Sequence, residues 1–350
     1  MVKQGADSRS DSRNLPYNKP MTSTFPVSSG QIIPSSVNAV LVVHGGAGTI
    51  LRENLTPRLE AQHLEALEAA LRIGYAALHT PDGSALDGVE AAVRYLEDCP
   101  LFNAGRGAVF THDGRIEMDA AIMDGMTGAA GAITGVTTVR NPVTLARAVL
   151  ERSPFVMLAG EGAEAFAASS GIERADPAYF RTEARWQQLQ TQLRREQEDS
   201  GEKMSLSEDN KFGTVGAVAV DRGGNVAAAT STGGMTNKRF GRIGDSPVIG
   251  AGTWAENATC AVSATGHGEF FIRHAAAHDI AARMAYGGRS VVEAAHEVIC
   301  ERLKKAGGAG GVIAIDSKGR ATLSFNTAGM YRGYITADGK VSVAIYFNTE

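Results

Sequence analysis

The apolar residues of this chain fall into short unbroken runs separated by helically spaced stretches. Ala39-Val40-Leu41-Val42-Val43-His44 is the first run and reads as a strand buried on both faces. It passes into Gly45-Gly46-Ala47-Gly48. Leu59, His63, Leu64, Leu67, Ala70, Leu71 and Tyr75 then recur at helical spacing. With Thr56 as cap and Pro57 in the first turn, they predict a helix to about Leu78. Ser84 caps a second helix through Ala85, Val89, Ala92, Val93 and Leu96, which stops near Asp98-Cys99-Pro100. A glycine-rich loop, residues 101–110, leads into a strand, a turn at Thr111-His112-Asp113-Gly114 and a return strand over 115–121. Further strands are expected at 129–139, 156–160, 248–252, 260–265, 312–316, 321–325 and 341–347. Helices are expected from Asn141-Pro142 onward and over 161–169, 270–285 and 290–305.

The chain is organised around a hairpin. Gly213-Thr214-Val215-Gly216-Ala217-Val218-Ala219-Val220 reads as a fully buried strand. Asp221-Arg222-Gly223-Gly224-Asn225 is its turn, and 226–231 is the return strand. Its entrance is abrupt. A helix from about Arg181 fades into a polar, charged linker, about 187–213, with no apolar period. That linker runs directly into Thr214, a hydroxyl residue at the very start of a buried strand. Pairs of strands, then helices, then pairs of strands suggest sheets sandwiched by helices, a layered α/β architecture.

Composition narrows the function. With 43% hydrophobic and 21% charged residues, the 350-residue chain has the balance of a globular protein with a large core. A net charge of −4 offers no basic field for nucleic acid or a membrane surface. No run approaches the apolar length of a membrane span, and no signal-peptide core opens the chain, so a cytoplasmic location is expected. Cys99, Cys260 and Cys300 are widely spaced and form no CxxC pair, which fits small buried hydrophobes in a reducing compartment. Residues 1–37, rich in Ser, Asp, Arg, Asn and Pro, read as a disordered tail. The 41 glycines cluster in short motifs, a pattern of close backbone approach around a site.

The position of Thr214 suggests its chemistry. A threonine hydroxyl is a weak nucleophile unless a base takes its proton, and one solution is the residue's own α-amine. A free α-amine titrates near 7.7–8 and suits general-base work near neutrality. This requires cleavage between Gly213 and Thr214. The return strand brings Thr230 and Thr232 back toward the start of the first strand, pointing the same way. Thr265-Gly266 ends a strand with a hydroxyl and an unhindered amide, an oxyanion pair. Arg242 can fork a substrate carboxylate and Asp245 can bind an ammonium, together reading an α-amino-acid head group. The two are also close enough to pair with each other, and Thr230 and Thr232 are ordinary strand formers.

Other chemistry is less well supported. His44-Gly45-Gly46-Ala47-Gly48 follows a strand but is neither GxGxxG nor a phosphate loop, and a hydrogen-bonded structural role suits His44 better than catalysis. Asp119 and Asp124, near strand ends, are ligand or acid/base candidates whose ordinary role is capping or solvation. His274 and His278 are four apart in a helical stretch, with His267 nearby, yet no HExxH supports a zinc hydrolase.

At this point the residues resemble a family. Gly213-Thr214-Val215-Gly216, Thr230-Ser231-Thr232-Gly233-Gly234, Gly241-Arg242-Ile243-Gly244-Asp245-Ser246-Pro247 and Thr265-Gly266-His267-Gly268-Glu269 look like the plant-type L-asparaginase/isoaspartyl aminopeptidase family. His44-Gly45-Gly46-Ala47-Gly48 and Phe102-Asn103-Ala104-Gly105 match its N-terminal half, so the resemblance covers about 38–350. It implies an αββα sandwich of the N-terminal-nucleophile hydrolase type. It also implies autocleavage into an α subunit, 38–213, and a β subunit, 214–350, which form one folded domain and pair as a dimer of αβ units. By motif, Thr214 is the nucleophile and Thr232 its support, Thr265 and Gly266 form the oxyanion site, and Arg242, Asp245 and Gly268 contact the substrate. Asn103 is expected to face the nucleophile. No cofactor is expected beyond a structural sodium ion, which the family holds through backbone carbonyls at the positions of Leu96, Glu97, Cys99, Phe102, Ala104 and Arg106. The implied activity is hydrolysis of L-asparagine and β-aspartyl dipeptides, with aspartylglucosaminidase as the nearest alternative. The tail before Ala39 is longer than the family core needs, and the linker before Gly213 varies freely in the family.

Overall fold

The computed structural model describes residues 30–32, 39–198 and 213–347. In chain order they form β1 (Gly30–Ile32), β2 (Ala39–Gly48), α1 (Pro57–Leu78), α2 (Ala85–Asp98), β3 (Met118–Asp124) and β4 (Ala130–Val136). Then come α3 (Pro142–Arg152), β5 (Met157–Ala159), α4 (Gly160–Ser169), α5 (Pro177–Phe180) and α6 (Glu183–Glu198). The remainder is β6 (Val215–Val220), β7 (Val226–Thr232), β8 (Thr253–Ala255), β9 (Cys260–Gly266), α7 (Gly268–His274), α8 (Ala276–Gly287), α9 (Val291–His296), β10 (Gly310–Asp316), β11 (Ala321–Phe325), β12 (Gly329–Thr336) and β13 (Val341–Ala344). The caps read from the sequence hold: Thr56 Oγ1 accepts the Leu59 N–H, and Ser84 and Asp87 close a reciprocal capping box.

The described residues are mixed α/β, with two sheets. One has eight strands, in the order β13-β12-β2-β6-β7-β3-β4-β5, and the other five, β1-β11-β10-β9-β8. All pairings are antiparallel except β4 with β5. Alternation along the strands explains the unbroken apolar runs. Leu41 and Val43 join Val215, Ala217 and Ala219 in a core shared with Leu67, Leu71, Val89 and Val93 of α1 and α2. Val42, Val218 and Val220 point the other way, into a core with Ile313, Ile315, Leu323 and Phe325 of the five-stranded sheet. The opposite face of that sheet, Val262, Ala264, Val312 and Ala314, packs on Ile280, Ala294 and Val298. Strands buried on both faces need apolar residues at every position. The small residues let the sheets close up: a Cβ on Gly216 would lie 2.0 Å from Ser263 Oγ.

Several expectations change. The strand read at 248–252 is a turn, in which Gly250 has φ +89° and Gly252 packs under the Asp245 carbonyl; the strand begins at Thr253 instead. The helix read across 270–285 breaks at Ala275, φ +45°, into α7 and α8, which puts His274 and His278 on different helices. Strand β12 was not legible, because it carries Gly333 and the buried Arg332. The Arg332 guanidinium donates through Nη1 to the carbonyls of Met330 and Ile345 and through Nη2 to that of Tyr346, and it lies over the Phe325 ring; its Nε has no partner among the described residues. The last strand stops at Ala344. Within the expected tail, Gly30–Ile32 pairs with β11; the rest of residues 1–38 lies outside the described residues. Within the expected linker, 187–198 belong to α6, and 199–212 lie outside the described residues.

Candidate active site

Thr214 is buried where the chain enters β6. The β6–β7 register, Val215 opposite Ser231 and Gly216 opposite Thr230, places Thr232 beside it. The Thr214 hydroxyl donates to Thr232 Oγ1 at 3.1 Å, and the Gly234 N–H donates to the same oxygen at 3.0 Å. On the other side of the Gly213–Thr214 peptide, the Asn103 N–H donates to the Gly213 carbonyl at 3.0 Å. Asn103 binds the turn after β7 as well. Its carbonyl accepts from Gly233 N–H, its Nδ2 donates to the Gly234 carbonyl at 2.7 Å and its Oδ1 accepts from Val109 N–H. Asn103 therefore meets the expected cleavage point through its backbone, while its side chain holds neighbouring backbone in place.

His44 is the hydrogen-bonded residue the sequence predicts, although it lies within β2 rather than at a strand end, and it sits against Thr214. Its Nδ1 lies 3.0 Å from the Thr214 carbonyl and its Nε2 2.9 Å from Ser263 Oγ. A carbonyl only accepts, so Nδ1 carries the hydrogen. Burial pushes the imidazole down to about 3, so the ring is neutral and Nε2 accepts from Ser263. Thr230 and Thr253 extend the chain of hydroxyls, 2.7 Å apart at each step. This buried network joins both sheets and fixes the carbonyl of Thr214. The sequence pattern did not single out Ser263 or Thr253, because a hydroxyl in a buried strand looks like any other small strand residue.

The remaining residues gather at the C-terminal end of β9. Thr265 Oγ1 accepts the Ala47 N–H at 3.2 Å, which fixes it to β2. Gly266 has φ +155°, and a Cβ there would lie 2.4 Å from the Ala309 carbonyl. Gly268 brings Arg242 and Asp245 together: a Cβ on it would lie 2.9 Å from each of Arg242 Nη2, Asp245 N and Asp245 Oδ1. Arg242 does not pair with Asp245. It forks Glu269, with Nε to Oε1 at 2.9 Å and Nη2 to Oε2 at 3.1 Å. Burial opposes the charge on Glu269, but the Arg242 bonds outweigh it and hold that carboxyl below its ordinary range. Burial pushes Asp245 up to about 7, and its Oδ2 has no hydrogen bond among the described residues. Glu269 falls within the Thr265–Glu269 motif, which assigns it no role; only the folded geometry supplies its partner.

Two further charges lie behind this site. Asp119, opposite Thr232 in the β3–β7 ladder, is buried rather than solvated, and burial raises its pKa against the pull of Lys238. Lys238 is buried as well and donates to the Glu117 carbonyl at 2.9 Å. Asp124, by contrast, is the turn cap its position suggested, bonding Met126 and Thr127.

The loop after α2 is folded tightly on its own carbonyls. A Cβ on Gly105 would sit 2.2 Å from the Glu97 oxygen, and one on Gly107 would sit 1.9 Å from the Phe102 oxygen. Arg185 of α6 donates to the Gly107 and Leu101 carbonyls at 2.8 and 3.4 Å. A cleft of about 550 Å³ opens onto Gly213 and Asn103, with Arg185, Gln188 and Arg195 of α6 on one side and His63 and Tyr331 on another. Among the described residues no cluster of His, Cys, Asp and Glu could hold a metal ion, and no helix is long and apolar enough to cross a membrane.

Comparison with known proteins gives a consistent result. A family model described as asparaginase matches residues 37–345. The chain is 53% identical over 312 residues to an isoaspartyl peptidase of Escherichia coli, covering 88% of this chain and 96% of that one. It is 42% identical over 327 residues to a probable isoaspartyl peptidase/L-asparaginase of Arabidopsis thaliana, covering 87% and 98%. A plant-type L-asparaginase of Pyrococcus abyssi is 42% identical over 296 residues, covering 83% and 94%.

Proposed function

Because this chain belongs to the asparaginase family, we propose that it is an autoprocessing threonine amidohydrolase that cleaves L-asparagine and β-aspartyl dipeptides to release L-aspartate. The observation that carries the reading is the arrangement around one peptide bond. The Thr214 hydroxyl lies against Thr232 while the preceding Gly213 carbonyl accepts a backbone N–H from Asn103. In self-cleavage, Thr214 Oγ attacks the Gly213 carbonyl carbon, the Asn103 N–H supports the developing oxyanion, and the C–N bond breaks to give an ester. Water hydrolyses the ester and leaves Thr214 with a free α-amine.

In turnover that amine accepts the hydroxyl proton as Thr214 Oγ attacks the side-chain carbonyl of the substrate. Thr265 and Gly266 stabilise the oxyanion. The leaving amine, ammonia or an α-amino group, departs with the proton, and water then releases aspartate from the acyl-enzyme. Arg242 holds the substrate α-carboxylate and Asp245 its α-ammonium. Support for this pairing comes from Gly268, whose missing side chain leaves a space bordered by both groups. An ammonium arriving beside the unbonded Asp245 oxygen would favour its charged form.

The three cores, helix on sheet, sheet on sheet and sheet on helix, support an αββα sandwich of the N-terminal-nucleophile type. Within it, 38–213 and 214–350 would be the α and β subunits of one domain, pairing as a dimer of αβ units. A structural sodium ion would be held by the carbonyls of Leu96, Glu97, Cys99, Phe102, Ala104 and Arg106. The neutral oxygens crowding Gly105 and Gly107 are donors of the kind a hard cation takes. The free cysteines fit a cytoplasmic setting.

The test is a denaturing gel with N-terminal sequencing, paired with an assay on β-Asp-Leu, asparagine and glycosylated asparagine. Purified protein is expected to resolve into two fragments, the smaller beginning at Thr214, and to hydrolyse the first two substrates. Hydrolysis by a chain that stays uncut would overturn the mechanism, and a preference for glycosylated asparagine would reassign the substrate.

A further inference from the structure

Helix α6 is the last described element before the Gly213–Thr214 bond, and its sequence is polar and charged. Near its start, Arg185 donates to the carbonyls of Gly107 and Leu101, on the loop that carries Asn103. Near its end, Glu196 takes two bonds from the loop that leads to Arg242: Asn237 Nδ2 to Oε1 and Arg239 Nη2 to Oε2, each 2.7 Å. Arg185 and Glu196 are eleven residues apart, about 16 Å along a helix axis. Between them the helix walls the cleft that opens onto Gly213.

The loop at 237–242 needs such an anchor. Asn237 and Phe240 both sit in the left-handed region, with φ +67° and +57°, a conformation that residues with side chains resist. Asn237 is otherwise tied to the strand–turn region through the Phe110 carbonyl and His112, and Lys238 through Glu117. Arg239 reaches α6, and Phe240 stands almost wholly exposed just before Arg242. We propose that α6 is a splint across the two loops of the active site, in which Glu196 is a positioning residue that holds the 237–242 loop, and with it Arg242, in register for substrate. The proposal rests on the functional reading above, and it makes α6 a lasting part of the cleaved enzyme.

The experiment is a charge-swap cycle on fully cleaved protein, with Glu196→Arg, Arg239→Glu, the double variant and Glu196→Gln as the milder change. Hydrolysis of β-Asp-Leu and hydrogen exchange over 237–242 are both measured. Each single reversal is expected to raise KM about two- to fivefold with kcat unchanged, the range of a partly exposed ion pair, and the double variant to recover part of that loss, since the swapped pair re-forms while an arginine at 196 cannot accept from Asn237 Nδ2. Exchange in the loop is expected to quicken in the single variants and slow again in the double. Single variants with wild-type KM and exchange, or a double variant no better than the sum of its parts, would overturn the splint. Wild-type protein that neither cleaves nor hydrolyses would instead sink the functional reading, and the exchange result would still decide the clamp.

Discussion

Asn103 donates its backbone N–H to the Gly213 carbonyl at 3.0 Å, and its side chain spans Gly234 and Val109, so one residue fixes both the Gly213–Thr214 peptide and the turn beside Thr232. A carbonyl whose oxygen is held by a hydrogen-bond donor is polarised for attack. Thr214→Ala is therefore expected to remain a single full-length chain with no hydrolysis. Thr232→Val, which removes the oxygen that Thr214 and Gly234 both address, is expected to slow cleavage and turnover about tenfold or more. Time courses on a denaturing gel measure the first effect, and steady-state rates of the slowly matured protein the second. A Thr232→Val protein that matures at the wild-type rate would remove Thr232 from the mechanism.

Gly268→Ala is expected to displace the backbone at Asp245 and to raise KM about tenfold to a hundredfold. The new methyl would lie 2.9 Å from Arg242 Nη2, Asp245 Oδ1 and the Asp245 backbone N, in the space assigned to the substrate head group. Kinetics on β-Asp-Leu check this, and a lowered kcat at unchanged KM would contradict it.

Asp245 links the proposed head-group site to pH and stability. Burial raises its folded pKa from 3.8 to about 7, so the folded state favours the protonated acid. Stability from this group is then fullest below its unfolded pKa and is lost as pH rises through about 7. Asp245→Asn keeps the neutral form at every pH. It is expected to be more stable than wild type at pH 8, by up to a few kcal/mol, and to lose affinity for the substrate ammonium. Urea unfolding at pH 5 and pH 8 measures the difference, which should shrink toward the acid side.

His44 has the opposite linkage. Burial depresses its folded pKa from 6.5 to about 3, so the neutral ring contributes stability above its unfolded pKa. That contribution is lost as pH falls from 6.5 through about 3. His44→Gln can still bond the Thr214 carbonyl and Ser263 but has no proton to take up. Its urea midpoint is expected to fall less than that of wild type between pH 6.5 and 4. Parallel curves for the two proteins would show that His44 does not carry this acid sensitivity.

Local rules explain why so much of the fold could be read from the sequence. Thr56 with Pro57, and Ser84 with Asp87, mark helix starts through bonds made within one turn. The 213–232 hairpin was legible because its turn and its apolar run are contiguous. Ala275 was not, since alanine ordinarily continues a helix and nothing local announces its left-handed conformation. Strand β12 was hidden for a similar reason: Arg332 looks solvent-facing until the carbonyls of Ile345 and Tyr346 close over it.

The sequence by itself determined the order of elements, the small residues that let two sheets meet, and the motifs carrying Thr214, Thr232, Arg242, Asp245 and Thr265. Those are properties of contiguous residues, and contiguous residues express them through propensity, period and turn chemistry. Only the tertiary structure decided partners. It gave Arg242 to Glu269 rather than to Asp245, the Thr214 carbonyl to His44, the Gly213 carbonyl to Asn103, and the charged end of α6 to the loop before Arg242. The bonds of His44, Asn103 and α6 each span more than 40 residues, and the Arg242 fork spans 27. Their geometry depends on how whole strands and helices are stacked, which no local pattern encodes.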